Sequence, residues 1–287
     1  YSRPFWLKPH CFASLASQAF GNSRKAQVLT TLMRMWKVMM CASLMLLTVR
    51  MFLHEESQHA ENCQNTDTTF LFMGSKLMQT QIPGVFRIPG PWVFGNGIGP
   101  WGYVVIEEDS AVLVDVPYYS QELAQEIQKY APKGLKYILL THDDFVGMSS
   151  YVEWKKAFGG QPLCVAHHAD ARGMDIVLDG PGPWEVGNFE VHHVPGHSAG
   201  SVFYMHRDLS AVFTGDSFGD FYGPTGFPSH CRFGRDRQAA NLRSFAKKVD
   251  FARHILPSHG QPMFFKDQQE RLQSFEQAAS GLESSWR

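Results

Sequence analysis

The 287-residue chain carries 26 Lys and Arg against 27 Asp and Glu, a net charge of −1, and this balance removes any electrostatic case for nucleic acid. Its hydrophobic content of 44%, with 22 Phe, can fill the core of one large α/β domain behind an N-terminal extension. The cysteines Cys11, Cys41, Cys63, Cys164 and Cys231 form no Cys-x-x-Cys pair, which argues against a disulfide framework or a Cys-rich zinc site.

Tyr1 rather than Met opens the chain, so it reads as no natural start, and a signal-peptide reading requires the start to be Met33 or Met35. Residues 1–32 lack periodicity and combine basic and hydroxyl residues with no acid. That is the composition of a transit peptide, or of translated upstream sequence. Met33-Arg-Met-Trp-Lys37 is basic, and Val38 to Val49 is uncharged, the pattern of a signal-peptide core. The run falls short of the roughly 20 residues of a membrane span. A retained anchor over 35–53, with Lys37 and Arg50 reaching to the interfaces, is the alternative and the one expected membrane contact. Residues 54–67 read as a polar linker, so the expected division is an extension over 1–68 and a domain over 69–287.

In the domain, Val85–Ile88 reads as a strand and Pro89–Pro100 as a Gly/Pro-rich loop holding Trp92 and Phe94. A hairpin is expected from 101–106 and 111–114, closed by Asp115. Ser120 caps a predicted helix over 121–130 with Leu123, Ile127 and Tyr130 on one face. Tyr137–Thr141 reads as a buried strand and 146–158 as the helix after it. Cys164 reads as a small hydrophobe within a strand. A strand over 189–194, a hairpin from 201–206 and 211–214, and helices over 235–249 and 265–280 complete the pattern. Alternation of strands and helices implies right-handed crossovers and a mostly buried sheet.

Four predicted strand ends carry a His or Asp beside Gly or Pro: Thr141-His142-Asp143-Asp144, Pro195-Gly196-His197, Thr214-Gly215-Asp216 and Ser258-His259-Gly260. Ligand sites of open α/β sheets lie at such ends. In kind and order these motifs resemble the metallo-β-lactamase fold superfamily, over roughly residues 80–275. The resemblance implies a four-layer αβ/βα sandwich. It also implies metal ligation by His142, His197, Asp216 and His259, with Asp115 as support for the first motif. The superfamily's usual opening is His-x-His-x-Asp-His; here those places hold His142, Asp144, Val146 and Gly147. A plastid and cyanobacterial branch with Thr-His-x-Asp-Asp-Val-x-Asp-His is closer. Against it His142 and Asp144 match, while Met148 and Ser149 replace the last Asp and His. The likeness to that branch makes an organelle, the plastid first, the expected compartment, with the secretory pathway as alternative.

His142, Asp144, His197 and Asp216 are a mixed N/O set for one zinc or iron ion with room for water. Asp216 and His259 alone would serve a second position, too few donors to hold a catalytic ion. The expectation is therefore one ion or none. Asp143 or Asp144 is the expected proton acceptor if water is activated, although Asp144 reads equally as a helix cap and Asp143 as a solvated loop acid. Loop 217–235, with Phe218, Phe221, Tyr222, Phe227 and Phe233, reads as a lid or as a docking surface in a protein complex, extended by Trp92, Phe94 and Trp101. Two functions stay open. The damaged first motif favours a pseudoenzyme, a structural or accessory protein; the retained ligands favour a mononuclear, thioesterase-like metallo-hydrolase.

Overall fold

The computed structural model describes residues 76–90 and 99–284, all within the unit Phe70–Arg287. The transit-like residues, the apolar segment 35–53, the linker, and Trp92 and Phe94 lie outside the described residues.

The first sheet takes seven strands in chain order: β1 (Met78–Gln79), β2 (Val85–Pro89), β3 (Trp101–Glu107), β4 (Ser110–Val114), β5 (Leu135–Leu139), β6 (Leu163–His167) and β7 (Ile176–Leu178). Strands β1 to β4 run antiparallel and β4 to β7 parallel. The first two parallel steps carry helices in their crossovers, α1 (Gln121–Tyr130), then α2 (Asp143–Met148) and α3 (Ser150–Ala157), while β6 reaches β7 through a loop. The chain continues through β8 (Trp184–Val186), β9 (Phe189–His193), β10 (Val202–His206) and β11 (Ala211–Gly215). A small ribbon follows, β12 (Gly219–Asp220) with β13 (Pro224–Thr225), then α4 (Arg235–Lys248), β14 (His254–Pro257), β15 (Met263–Phe264) and α5 (Gln268–Ser284). The second sheet has the order β15-β14-β11-β10-β9-β8, with only β11 and β14 parallel, joined across α4.

Strand alternation turns these sheets into a sandwich. In β4, Ala111 and Leu113 pack under α1, α2 and α3, while Val112 and Val114 face the other sheet. In β10, Val202 and Tyr204 face the first sheet, and Phe203 and Met205 pack under α4 and α5. Both faces of each central strand are buried, so these strands are apolar throughout rather than alternating with polar residues. Four layers result, helix, sheet, sheet and helix, as the αβ/βα expectation requires.

Several boundaries differ from the sequence expectation. The helix predicted over 146–158 is two helices, because Ser149 takes a left-handed conformation (φ 59°, ψ 7°) between α2 and α3. The first of them begins at Asp143, so Asp143 is a helical residue rather than a loop acid. The C-terminal helix starts at Gln268, not 265. Strands β1, β7 and β8 have two or three residues each, too short to show a period. Trp101 is buried beneath the Arg87 guanidinium, 3.6 Å from its ring centroid, and so adds to no surface patch. Phe218 is likewise buried, against Phe275 at 4.1 Å. Phe221, Tyr222 and Phe233 are the exposed aromatics of loop 217–235.

Candidate metal centre

His142 follows β5, His197 follows β9, Asp216 follows β11, His259 follows β14 and Asp115 follows β4, so all five sit at or beyond the carboxyl ends of strands. Strands β4 and β5 are parallel, and β9, β11 and β14 share one direction through antiparallel β10. Val202 N–H donates to Thr141 C=O (2.9 Å) and Trp101 N–H to Ser258 C=O (2.8 Å), which ties the two sheets together at this edge.

A polar relay aims His142. The buried Asp115 accepts from Thr141 N–H at Oδ1 (2.9 Å), and from Thr141 Oγ1–H and Ser258 Oγ–H at Oδ2 (2.8 Å each). Thr141 Oγ1 has spent its one proton on Asp115, so at 2.7 Å it accepts from Nδ1–H of His142. The ring then turns Nε2 toward Asp144 Oδ2 (3.6 Å) and Asp216 Oδ2 (3.7 Å). Asp115 takes a left-handed φ of 51° to do this, and Gly215, at φ 53°, leaves no Cβ where one would stand 2.3 Å from Thr141 Oγ1.

The structure brings His142, Asp144, His197 and Asp216 together, with one donor atom from each within 4.8 Å of all the others. His259 joins from the side, its Nε2 3.4 Å from Asp216 Oδ2. Nε2 of His197 lies 3.2 Å from Asp144 Oδ2 and 3.0 Å from Arg232 Nη2. A ring nitrogen carries either a proton or a lone pair, so it can satisfy one of these neighbours and not both. Asp216 Oδ1 and His197 Nδ1 are buried without a hydrogen-bond partner. Burial lowers the affinity of His142 for a proton, but Asp216, Asp144 and Asp115 override it and raise its pKa. Burial likewise pulls Asp216 up, and the charges of His142 and His259 bring it well below the usual carboxylate range. The same field that holds a proton on His142 favours a bound cation. Two imidazoles and two carboxylates are the donors that zinc or iron accepts, so the residues fit one such ion.

Among the described residues no second such set is present. Val146 is buried in the core under the first sheet, Gly147 has no side chain, and Met148 is half exposed. Of the donors for that position, Asp216 and His259 remain among the described residues.

Sequence reasoning passed over two residues. Asp170, two residues beyond a histidine pair in 165–170, accepts from Ser198 Oγ–H and from Gly200 N–H (3.0 Å), holding the turn that presents His197. A Cβ at Gly200 would stand 2.5 Å from its carboxyl carbon. Arg232 reaches from loop 217–235 onto Asp143, Asp144 and His197. No motif marks either residue, since each acts through contacts 28 to 89 positions away in sequence.

No family model matches the chain. A hydroxyacylglutathione hydrolase from Pelagibacter ubique is 30% identical over 86 residues, 29% of this chain, and the match spans 36% of that relative's length. Among solved structures, the DIM-1 metallo-β-lactamase superposes with a TM-score of 0.55 at 15% identity, over 70% of this chain and 96% of that one. A metallo-β-lactamase from Pontibacter korlensis gives 0.54 at 16% identity over 70% and 98%, and one from Erythrobacter litoralis 0.53 at 16% over 72% and 97%.

Proposed function

Because the chain has the metallo-β-lactamase fold and gathers four donors at one point, we propose that it is a metallo-hydrolase working with a single zinc or iron ion. The proposed substrate is an acyl compound, a thioester first. That convergence, from three separate strand ends, is the observation that supports this reading over an accessory role. Bound by His142, Asp144, His197 and Asp216, the ion would supply a Lewis acid that lowers the pKa of water toward about 7.

The chain's own side chains supply the rest. Asp115 and Thr141 keep the proton of His142 on Nδ1 and so free Nε2 for ligation. Arg232 is ion-paired to both Asp143 and Asp144. Asp144, engaged by the ion and by Arg232, is a poor proton acceptor. His259, beside Asp216 with its side chain 32% exposed, is better placed to exchange a proton with water. The thioester preference draws support from the hydroxyacylglutathione hydrolase relative. The missing second donor set argues against phosphodiester cleavage, which uses two metals. A partner docked on Phe221, Tyr222 and Phe233, and delivery to a plastid, remain proposals supported by exposure and by composition respectively.

Elemental analysis of natively purified protein tests the reading, together with assays against thioester, lactone, β-lactam and phosphodiester substrates. About one equivalent of zinc plus iron is expected, with thioester hydrolysis, and both lost on His142→Ala. Less than about a tenth of an equivalent, with no hydrolysis, returns the chain to the accessory reading.

A further inference from the structure

Asp144 stands where the resembling superfamily has a second histidine, and a carboxylate there has a problem an imidazole does not. It has two equivalent oxygens and a short, loosely held stem, so nothing intrinsic presents one oxygen to an ion and withholds the other. Arg232 supplies that restraint. Its Nη1 donates to Asp144 Oδ1 at 2.8 Å, which leaves Oδ2 facing the Nε2 atoms of His142 and His197. Its Nη2 also donates to Asp143 Oδ1, so the charge of the guanidinium is balanced by a carboxylate outside the donor set.

The backbone anchors the same residue to the opposite ligand. Arg232 N–H donates to His197 C=O (3.1 Å), its Nε–H to the same oxygen (3.3 Å), and Phe233 N–H to Gly196 C=O (2.7 Å). The guanidinium thus spans the first turn of α2 and the His197 turn, which come from different sheets. The fork of an arginine can do this; a lysine ammonium cannot bridge the same acceptors in one plane.

We propose that Arg232 is a positioning residue that makes Asp144 serve as a metal ligand in place of a histidine, by holding Oδ1 and turning Oδ2 to the ion. This rests on the single-ion reading above. Groups that orient a ligating carboxylate typically govern metal affinity by about 10–100-fold when removed.

The test is a coupling measurement on the full chain, with zinc alone as the probe and affinity read by competition with a chromogenic chelator. Arg232→Gln is expected to weaken zinc about 10–100-fold, and Arg232→Lys to recover part of the loss. In an Asp144→His background, where the ligand needs no oxygen chosen for it, Arg232→Gln should cost less than about threefold. The Gln variant is expected to fold, because the backbone bonds to His197 and Gly196 persist and the Arg232 side chain is 47% exposed. Unchanged or tighter zinc binding in Arg232→Gln overturns the proposal. So does an equal loss in both backgrounds, which would mean that the guanidinium acts on the His197 turn and not on Asp144. If His197→Ala leaves zinc affinity unchanged as well, the single-ion reading itself is what has failed.

Discussion

Replacing an imidazole by a carboxylate at 144 changes the charge of the site as well as its donor. Asp115, Asp144 and Asp216 surround His142, and their charges raise its pKa against the effect of burial. A buried ion pair elsewhere shows how such balances reach into stability. Glu107, its side chain 8% exposed, accepts from Asn188 (3.0 Å) and pairs with His206 (3.3 Å) and Lys136 (3.7 Å). The hydrogen bond with His206 lowers its pKa, against the opposing effect of burial. A carboxyl lowered on folding stabilises the fold above its unfolded pKa, and that contribution is lost as pH falls through the folded value. Glu107→Gln is therefore expected to cost on the order of 1 kcal/mol at neutral pH and to flatten the loss of stability below the ordinary glutamate range. Urea titrations of both proteins at neutral and acid pH check it; parallel acid profiles would show that Glu107 is not responsible.

At the level of elements, the site depends on how α2 begins and how it stops. His142 is its N-cap in extended conformation, and Asp143 and Asp144 occupy the first turn, where the helix dipole favours negative charge. The helix ends after six residues at Ser149, whose hydroxyl reaches only the carbonyls of Val146 and Gly147 at 3.4 Å. A side chain in the left-handed region costs about 1–2 kcal/mol that glycine avoids. Ser149→Gly is accordingly expected to stabilise the chain by about 0.5–1 kcal/mol after the entropy of glycine is set against it. A fall in the urea midpoint would show that the serine hydroxyl contributes more than its long contacts suggest. Beyond the break, α3 anchors the layer through Trp154, fully buried and donating to Tyr118 C=O at 2.8 Å.

For the whole molecule, a site that joins loops from both sheets would couple metal binding to folding. Bringing the four donors together requires the edges of both sheets to be in place, so the unfolded chain has no equivalent site. Zinc at about a hundred times its dissociation constant is expected to add about 2.7 kcal/mol, which for a domain of this size is a rise of roughly 5–10 °C in Tm. A chelator should reverse the rise, and His197→Ala should abolish it. A zinc-independent Tm in the native chain would separate the fold from the metal altogether.

Much of the sandwich is written in local pattern. Strands such as β4 and β10 announce themselves because both faces are buried and their runs are apolar, and Ser120 caps α1 where a cap is expected, its Oγ accepting from Leu123 N–H at 3.3 Å. The order of the four motifs, and so the set His142, Asp144, His197 and Asp216, is also legible, since turn chemistry and ligand type sit side by side in the sequence. Helix breaks and short strands are not, because the left-handed turn falls on a serine rather than a glycine or proline and β7, at three residues, is too short to show a period. Least legible of all are Arg232 and Asp170. Arginine and aspartate in polar loops have no period and no motif, and only the meeting of the two sheet edges places one on Asp144 and the other beneath His197. The sequence by itself determined which side chains are available for chemistry. The tertiary structure decided which of them meet, because convergence at an edge depends on strand direction and register, and neither is a property of any single segment.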